Sequence, residues 1–372
     1  MNDQSTKAPL RILVIGSLDV SAGGASVGGT TILLRCLVNE LQRRQDVELS
    51  VLDIGCSRHK TGLLKDIGRG ISFLCRAPSY IRVVDVVTVH LCSPSSLGLP
   101  GLIVSCFFRK PLVIRKFGGN DYRASRAYCW PWLAEFVLRR ADLYLAETRQ
   151  LVDQASWRGI VHTEWFPTHR PMNSVAKPGH EKTGCHRFVY VGQVREYKGI
   201  RELVEAAERL DSSTTVDVYG PIFDDLSPDI FDRCRHIFYR GVLDHRDVVS
   251  TIQQYDALVL PTHHDGEGYP GVILEAYSVG LPVVTTNWRA IPEIVDETSG
   301  ILVEPRNPEA LYQAMRKLST DLDLYVRLCK GARRRADAFS AEHWAGQFVT
   351  FCRLIAKKGA NEVGHPRTGH RI

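Results

Sequence analysis

The sequence predicts an α/β protein with two tandem, doubly wound domains, and three observations support this prediction. The chain has 372 residues, more than a single hydrophobic core usually contains. Apolar, β-branched segments alternate with helix-length segments along most of it. A polar stretch with two prolines and two glycines interrupts the alternation at residues 171–186. We therefore expect a first domain over 8–170, a linker over 171–186 and a second domain over 187–340, with a C-terminal helix at about 341–358 that packs back onto the first domain.

The predicted strands are short runs rich in Val, Ile and Leu, as in parallel sheets that helices cover on both faces. In the first domain they are RILVIG (11–16), ELSVLDI (48–54), DVVTVH (85–90), PLVIRK (111–116) and DLYLA (142–146). In the second they are RFVYVG (187–192), TTVDVYG (214–220), HIFYRG (236–241), DALVLP (256–261), LPVVTT (281–286) and GILVEP (300–305). Such sheets bind ligands beyond the carboxyl ends of their strands, so we expect the site in the cleft between the domains.

The composition is that of an ordinary soluble protein, with 44% hydrophobic and 24% charged residues. The ten cysteines form no C-x-x-C pair, which predicts reduced thiols and a cytoplasmic location. The N-terminal sequence MNDQSTKAPL lacks the apolar core of a signal peptide. The longest apolar run, Leu97–Phe108, contains Pro100 and is shorter than the roughly 20 residues that span a bilayer. We expect no membrane-spanning segment.

The net charge of +6 is unevenly distributed along the chain. Residues 1–177 carry 23 Lys and Arg against 14 Asp and Glu, a net charge of +9, whereas residues 178–372 carry 24 against 27, a net charge of −3. The basic half lacks a nucleic-acid-binding motif, so we expect no nucleic-acid partner. We expect this half to face an anionic membrane surface, and a solvated basic surface is the alternative.

Three short motifs suggest other chemistries. The sequence GASVG (24–28) matches the nucleophile elbow of serine hydrolases, but Ser26 lies ten residues beyond the first strand instead of directly after it. A hydrolase acting through Ser26 is therefore only an alternative. The D-x-D sequence of residues 321–323 follows Ser-Thr and predicts the acidic first turn of a capped helix. His263, His264 and Asp265 lack further ligands at a suitable spacing, so we expect no metal site.

The stretch HDGEGYPGVILEAYSVGLP (264–282) places two glutamates on either side of a predicted helix start near Gly271. Free backbone N–H groups at a helix N-terminus bind phosphate groups. Glu275, in the first turns of the helix, can accept two hydrogen bonds from a ribose diol, and Glu267 can reach hydroxyls beyond the phosphates. The spacing predicts a nucleotide sugar as the ligand. The helix dipole also favours a glutamate at this position when nothing is bound, which is the alternative.

The segment GEGYPGVILEAYSVGLPVVTTNWRAIPEIV resembles the Glu-x7-Glu signature of glycosyltransferase family 4. A second block, YVGQVREYKGI (190–200), resembles the segment that carries the diphosphate-binding basic residues of that family. The resemblance covers most of residues 11–355 and is strongest over 187–305, where it is similar to bacterial enzymes of polysaccharide and glycan assembly. It implies the GT-B fold, in which two Rossmann-like domains enclose an interdomain cleft.

The resemblance also implies roles for individual residues. Glu275 would hold the ribose hydroxyls, Glu267 the hydroxyls of the transferred sugar, and Lys198 the diphosphate. The family has an arginine where this chain has Gln193, and Arg195 would supply that charge. We assign Glu267, Lys198 and Arg195 to catalysis. The remaining donor-binding positions are in the flexible N-terminal loop and at the helix start: Gly28, Gly29, Tyr269, Pro270, Gly271, Val272 and Ile273. In the first domain RKFGGND replaces the family's histidine, which leaves Asn120 and Asp121 as acceptor-side candidates.

The implied function is that of a retaining, hexosyltransferase-type glycosyltransferase. It would move a sugar from a nucleoside-diphosphate sugar to a hydroxyl of a lipid-linked or surface-polysaccharide glycan intermediate. Apart from this nucleotide-sugar co-substrate we expect no cofactor and no metal, because Lys198, Arg195 and the helix N-terminus compensate the charge of the leaving phosphate. We expect a cytoplasmic protein at the inner face of the cell membrane. A non-catalytic protein that binds nucleotide sugars with the same fold is the alternative.

Overall fold

The computed structural model describes residues 8–18, 29–54, 63–91, 94–119, 131–172, 184–232 and 234–363. The chain divides into two compact units. The first unit runs to Pro167 and resumes at Ala341, and Thr168–Ser340 belong to the second unit. The second unit is therefore inserted, in sequence, before the last helix of the first unit.

The first unit contains a six-stranded parallel sheet. Its strands are β1 (Leu10–Gly16), β2 (Val47–Asp53), β3 (Val86–Leu91), β4 (Leu112–Lys116), β5 (Leu143–Ala146) and β6 (Thr163–Trp165). The strand order is β2-β1-β3-β4-β5-β6. The helices between them are α1 (Gly29–Gln42), α2 (Leu63–Ile81), α3 (Pro94–Phe108), α4 (Pro131–Arg140) and α5 (Arg149–Trp157).

The second unit contains another six-stranded parallel sheet. Its strands are β7 (Arg187–Val191), β8 (Thr215–Tyr219), β9 (Ile237–Tyr239), β10 (Ala257–Leu260), β11 (Val283–Thr286) and β12 (Gly300–Val303). They lie in the order β12-β11-β10-β7-β8-β9. The helices are α6 (Ile200–Ala207), α7 (Val248–Ile252), α8 (Gly271–Ser278), α9 (Pro308–Thr320) and α10 (Leu322–Asp337), and α11 (Ala341–Val363) returns to the first unit.

Side chains of β1 alternate between two hydrophobic cores on the two faces of the first sheet. Leu13 and Ile15 pack in a core with residues of α2, α3 and α4. Ile12 and Val14 pack in a second core with residues of α1 and α11. All four side chains are fully buried, and burial of each stabilises the fold by roughly 1.5–3 kcal/mol. The continuous apolar run of β1 thus reflects a strand that is covered on both faces.

The predicted α/β fold class is confirmed, and each predicted strand is present with ends that differ by two residues at most. Among the strands of the described residues, only β6 was not predicted, because its three residues, Thr-Glu-Trp, carry no apolar pattern. The interpretation of the D-x-D sequence is confirmed too. Asp321 caps α10 by accepting a hydrogen bond from the backbone N–H of Leu324 at 2.9 Å, and Asp323 lies in the first turn.

The apolar run at Leu97–Phe108 lies within α3, which contains Pro100. Among the described residues, no helix combines the length and the apolar character that a membrane span requires.

Candidate functional site

The candidate site lies in the second unit, at the carboxyl ends of the adjacent strands β7 and β10. The segment after β7 leads through a short 3-10 turn, Glu196–Lys198, into α6. The segment after β10 leads into α8 and is mostly buried. These two segments bring Lys198 close to Glu267, although the two residues are 69 positions apart in sequence.

The loop before α8 is fixed by hydrogen bonds to its neighbours in the second unit. The indole Nε1 of Trp288 donates to the carbonyl oxygen of His264 at 2.9 Å. The backbone N–H of His263 donates to the carbonyl oxygen of Tyr197 at 2.9 Å. At the end of the loop, the hydroxyl of Tyr269 donates to a carboxylate oxygen of Glu293. The loop is therefore held in place before any ligand arrives.

Glu267 is buried and forms an ion pair with Lys198. The Nζ of Lys198 lies 2.5 Å from Oε2 of Glu267, and the hydroxyl of Thr262 donates to the same oxygen at 2.7 Å. Both side chains are largely buried, with 16% of Lys198 and 10% of Glu267 exposed. In the described part of the chain no group donates to Oε1, so this oxygen can accept a hydrogen bond from a ligand.

Gly199 sets the distance between the Lys198 turn and the end of β10. Its backbone has φ +78°, a left-handed conformation that favours glycine. A Cβ atom at this position would lie 2.1 Å from the carbonyl oxygen of Pro261. Glycine at position 199 is what lets the two segments approach closely enough for Lys198 to reach Glu267.

Glu275 forms the second ion pair of the site, and its partner is Arg170. The Nε of Arg170 donates to Oε1 of Glu275 at 2.7 Å, and the two side chains are 8% and 15% exposed. Glu275 lies in α8, whose first residue is Gly271 and whose N-terminal flank is Pro270. Two ion pairs therefore lie near the N-terminus of α8. Glu275, within the helix, pairs with Arg170, and Glu267, in the preceding loop, pairs with Lys198.

The side chain of Arg195 contacts three neighbouring side chains of the second unit. Its Nε donates to Oδ1 of Asp225 at 3.2 Å, and its Nη1 donates to the hydroxyl of Tyr197 at 2.8 Å. The guanidinium also lies 4.3 Å from the ring centre of Phe223. These contacts fix its position, and Nη2 donates to none of the described residues.

Gln193, which takes the place of the arginine in the family that the sequence resembles, is exposed. The backbone carbonyl oxygen of Gln193 accepts a hydrogen bond from the hydroxyl of Tyr190 at 2.6 Å. Burial, together with the nearby charge of Glu267, raises the pKa of Tyr190 well above its usual range, so this side chain stays a neutral phenol. The basic charge on this side of the site therefore comes from Lys198 and Arg195.

A shallow pocket of about 400 Å³ adjoins the Lys198 turn. Its lining residues are Glu196, Tyr197, Asp225, His263, His264, Asp265 and Arg306. The rings of Tyr197 and His264 stack with centroids 4.5 Å apart. Burial lowers the pKa of His263, and burial together with the charge of Lys198 lowers the pKa of His264. Both imidazoles are thus biased toward the neutral form.

The structure places the other predicted site residues in different parts of the molecule. Tyr269, Pro270, Gly271, Val272 and Ile273 form the entry to α8, and Ile273 is fully buried. Gly29 is the first residue of α1 in the first unit. Gly28, Asn120 and Asp121 lie outside the described residues, and so does Ser26 of the alternative hydrolase motif.

The RKFGG sequence that departs from the family pattern surrounds the end of β4. The ammonium of Lys116 donates to the carbonyl oxygen of Gly118 at 3.3 Å, and the N–H of Gly118 donates to Oε2 of Glu147 at 2.6 Å. Lys116 and Glu147 are both buried. Within the first unit, these charged side chains stand at the carboxyl edge of the sheet, where ligands of such folds bind.

Sequence reasoning missed Arg170 and Thr262. Arg170 was assigned to the end of the first domain, and no motif marks an arginine that pairs with a residue 105 positions away. Thr262 follows the predicted strand DALVLP directly, which is where side chains of a parallel sheet meet ligands. That position was a usable signal for Thr262, whereas the sequence offered none for Arg170.

A family model and several curated proteins are similar in sequence to this chain. Residues 185–321 match the family model for glycosyl transferases group 1. The O-antigen chain mannosyltransferase C of Escherichia coli is 26% identical over 173 residues, which cover 45% of this chain and 47% of that enzyme. The chain thus spans about half the length of this curated relative.

Solved structures are similar to nearly the whole chain. Sucrose-phosphate synthase from Thermosynechococcus elongatus has a TM-score of 0.72 at 18% identity, covering 93% of this chain and 99% of that one. The Anabaena protein HepE, crystallised in complex with UDP, has a TM-score of 0.71 at 14% identity, covering 93% and 100%. With its two parallel six-stranded sheets flanked by helices, the chain has the α/β, two-domain GT-B fold.

Proposed function

We propose that this protein is a glycosyltransferase that moves a sugar from a nucleoside-diphosphate sugar to an acceptor hydroxyl. The observation that carries the proposal is the arrangement around α8. Two glutamates flank the N-terminus of the helix, and each is paired with a basic side chain through one oxygen. The remaining oxygens face no donor in the described part of the chain, so both are suited to sugar hydroxyls. The match of residues 185–321 to glycosyl transferases group 1 supports the same function.

Each group of the site has a role in this proposal. Glu275 binds the ribose hydroxyls of the donor, and Glu267 binds hydroxyls of the transferred sugar. The backbone from Tyr269 to Ile273 faces the sugar and the diphosphate. Lys198 exchanges part of its contact with Glu267 for the diphosphate, and Arg195 contributes its remaining Nη2. UDP in the crystallised HepE supports a nucleoside diphosphate as the leaving group.

We propose a retaining mechanism without a divalent ion. Negative charge grows on the β-phosphate as the glycosidic bond breaks, so a cation and aligned N–H groups that are already in place lower the barrier. Lys198 and the N-terminus of α8 supply these groups. In the proposed front-side attack the acceptor hydroxyl approaches from the side of the departing phosphate, which takes its proton. Glu267 positions the sugar in this scheme and does not act as the base.

We propose that the acceptor is a lipid-linked or polysaccharide glycan intermediate at the inner face of the cell membrane. The name of the similar O-antigen mannosyltransferase supports a glycan acceptor. The solvent-exposed side chains of α2, α3 and α4 support the proposed location at a membrane. These helices pack on one face of the first sheet and expose Ile71, Leu74, Ile103, Phe107, Trp132 and Phe136. Arg140 of α4 lies beside one of these side chains, with its guanidinium 4.7 Å from the ring centre of Phe136. Together they form an apolar, basic surface suited to anionic lipid.

A ligand screen tests the proposed function. Thermal unfolding is measured with UDP, GDP, ADP and their hexose derivatives, in the presence of EDTA. We expect one donor to stabilise the protein by about 2.7 kcal/mol at a hundredfold excess over its Kd. Glu275→Gln lowers the affinity for that donor about tenfold, because a hydrogen bond to a charged group is lost. If no nucleotide sugar shifts the unfolding temperature, the proposal is wrong.

Turnover of the stabilising donor separates an enzyme from a non-catalytic binding protein. We expect slow hydrolysis of the donor, with water as the acceptor, and faster transfer when a glycan acceptor is added. Proton NMR of the product reports whether the anomeric configuration of the donor is kept. Binding without any turnover would favour the non-catalytic alternative.

A further inference from the structure

Arg170 is held in place by its own backbone as well as by its side chain. Its N–H donates to the carbonyl oxygen of Phe339 at 3.0 Å, and it forms an isolated β-bridge with Ser340. The Nη1 of the guanidinium donates to the carbonyl oxygen of His169 at 3.1 Å, and the Nε donates to Oε1 of Glu275. The side chain is only 8% exposed. The guanidinium is thus a fixed partner for Glu275 and not a mobile surface charge.

Gly271 provides the space that this guanidinium occupies. A Cβ atom at position 271 would lie 1.8 Å from Nη2 of Arg170 and 2.6 Å from its Cζ. The guanidinium therefore crosses directly over the first residue of α8. A cation is disfavoured at the positive end of a helix, and the carboxylate of Glu275 offsets this cost. The lack of a side chain at Gly271 thus leaves room for the ion pair between Arg170 and Glu275.

We propose that Arg170 positions the carboxylate of Glu275 for the ribose diol of the donor. Through this contact it makes the site selective for ribonucleotides over nucleotides that lack the ribose hydroxyls. The guanidinium takes Oε1, and its fixed direction orients the carboxylate so that Oε2 is presented to the ligand. Arg170 acts through Glu275, so it is a positioning residue. The inference rests on the proposed function, in which Glu275 binds ribose.

The test measures selectivity for ribose by calorimetry. Binding of UDP, GDP and ADP is compared with binding of their 2′,3′-dideoxy forms, and the base that binds most tightly is used throughout. For the unmodified protein we expect the ribose form to bind on the order of tenfold more tightly than the dideoxy form. In Glu275→Gln this ratio falls to about two or less, because the charged acceptor is gone.

Arg170→Met is expected to lower the ratio nearly as far as Glu275→Gln does, while its affinity for the dideoxy form stays within about threefold of the unmodified protein. Arg170→Lys keeps the charge but not the fork of donors, and it is expected to give an intermediate ratio. A general defect of folding would lower the affinity for the ribose and dideoxy forms equally and leave the ratio unchanged. The ratio therefore distinguishes positioning from a structural role.

Gly271→Ala is the second variant, because it displaces the guanidinium and leaves Arg170 in the chain. It is expected to lower the ratio as Arg170→Met does. The ratio reports this effect even if the added methyl group hinders the diphosphate and lowers the affinity for both nucleotides. If the ratio stays at about tenfold in Arg170→Met, the inference about Arg170 is wrong, but the proposed function is not affected. Gly271→Ala takes the place of Arg170→Met in this test if that variant does not fold. If Glu275→Gln keeps the ratio, or if the unmodified protein binds none of the nucleotides, the assignment of Glu275 and the inference are both overturned.

Discussion

At the scale of single residues, the site consists of charges that neutralise one another. Lys198 compensates Glu267, and Arg170 compensates Glu275. These pairs are mostly buried, and an isolated charge at such depth would be costly. Each pair therefore orients its carboxylate before a donor binds, and neither carboxylate must be reorganised when the diphosphate enters.

Lys198→Met tests the role of the lysine in leaving-group stabilisation. We expect the turnover of the donor to fall by about a hundredfold to a thousandfold, since one positioned group that stabilises developing charge is lost. The measurement is steady-state turnover with the donor found by the ligand screen. Lys330→Met, which changes an exposed lysine of α10, is the matched control and should retain full turnover.

Removal of Lys198 also leaves Glu267 without its partner, which lowers the stability of the fold. The double variant Lys198→Met, Glu267→Gln removes both charges and should recover much of this loss in thermal unfolding, but not the turnover. If Lys198→Met alone turns over the donor at the normal rate, the proposed role of the lysine is wrong.

The sequence allowed three of these four charged residues to be chosen, and the reason is local spacing. Glu267 and Glu275 flank one helix start, and Lys198 follows a predicted strand in a short basic block. The partnership of each pair was not predictable, because the paired residues are 69 and 105 positions apart. Contacts at such distances depend on the three-dimensional arrangement of whole elements, which spacing along the chain does not contain.

At the scale of elements, close packing of the Lys198 turn against β10 depends on one residue without a side chain. Gly199 has φ +78° and lies against the carbonyl oxygen of Pro261, whereas Gly241 has φ +88° and no atom within 4 Å of the position of a Cβ. Both glycines have a positive φ, and they differ in their surroundings. They therefore allow the cost of strain to be separated from the cost of a steric clash.

Gly199→Ala is expected to destabilise the protein by about 2–4 kcal/mol, which combines backbone strain with displacement of the Pro261 segment. Gly241→Ala carries the strain alone and is expected to cost about 1 kcal/mol. Urea unfolding followed by circular dichroism measures both. Equal losses of stability in the two variants would contradict the close approach at Gly199.

Elements with a strong apolar pattern were predictable, and elements without one were not. The run ALVL of β10 is buried on both sides and reads as a strand from sequence alone. The start of α8 was predictable as well, because Pro270 and Gly271 end the preceding loop and a run of helix-forming residues follows. The strand β6 pairs with β5 over three residues, of which none is apolar except Trp165, so its position is set by the neighbouring strand.

At the scale of the whole molecule, charge and exposed apolar side chains are concentrated in the same region. The basic half of the sequence contains α2, α3 and α4, whose solvent sides carry large apolar residues. Phe107 and Trp132 are 79% and 65% exposed, which is high for aromatic side chains. An anionic lipid surface would attract the arginines and accept these rings.

Vesicle binding tests this surface. The pair of changes Phe107→Ser and Trp132→Ser is expected to weaken binding to phosphatidylglycerol vesicles about tenfold or more, because two aromatic side chains no longer enter the lipid interface. Leu354→Ser is the matched control, since Leu354 is 53% exposed on α11, which packs on the other face of the same sheet. Flotation of the vesicles measures binding, and higher salt should weaken it. Equal binding to neutral and anionic vesicles would contradict the proposal.

The return of α11 to the first unit has a consequence for folding during synthesis. Trp344, Phe348 and Cys352 of α11 cover one face of the first sheet together with α1, so that face is only partly covered until the ribosome has passed residue 341 and released the last helix. The second unit is contiguous in this part of the chain and is synthesised in full before then. Although domains generally fold in the order of synthesis, here the later unit is complete first. The apolar face of the earlier unit is the surface that a nascent-chain chaperone would protect in the interval.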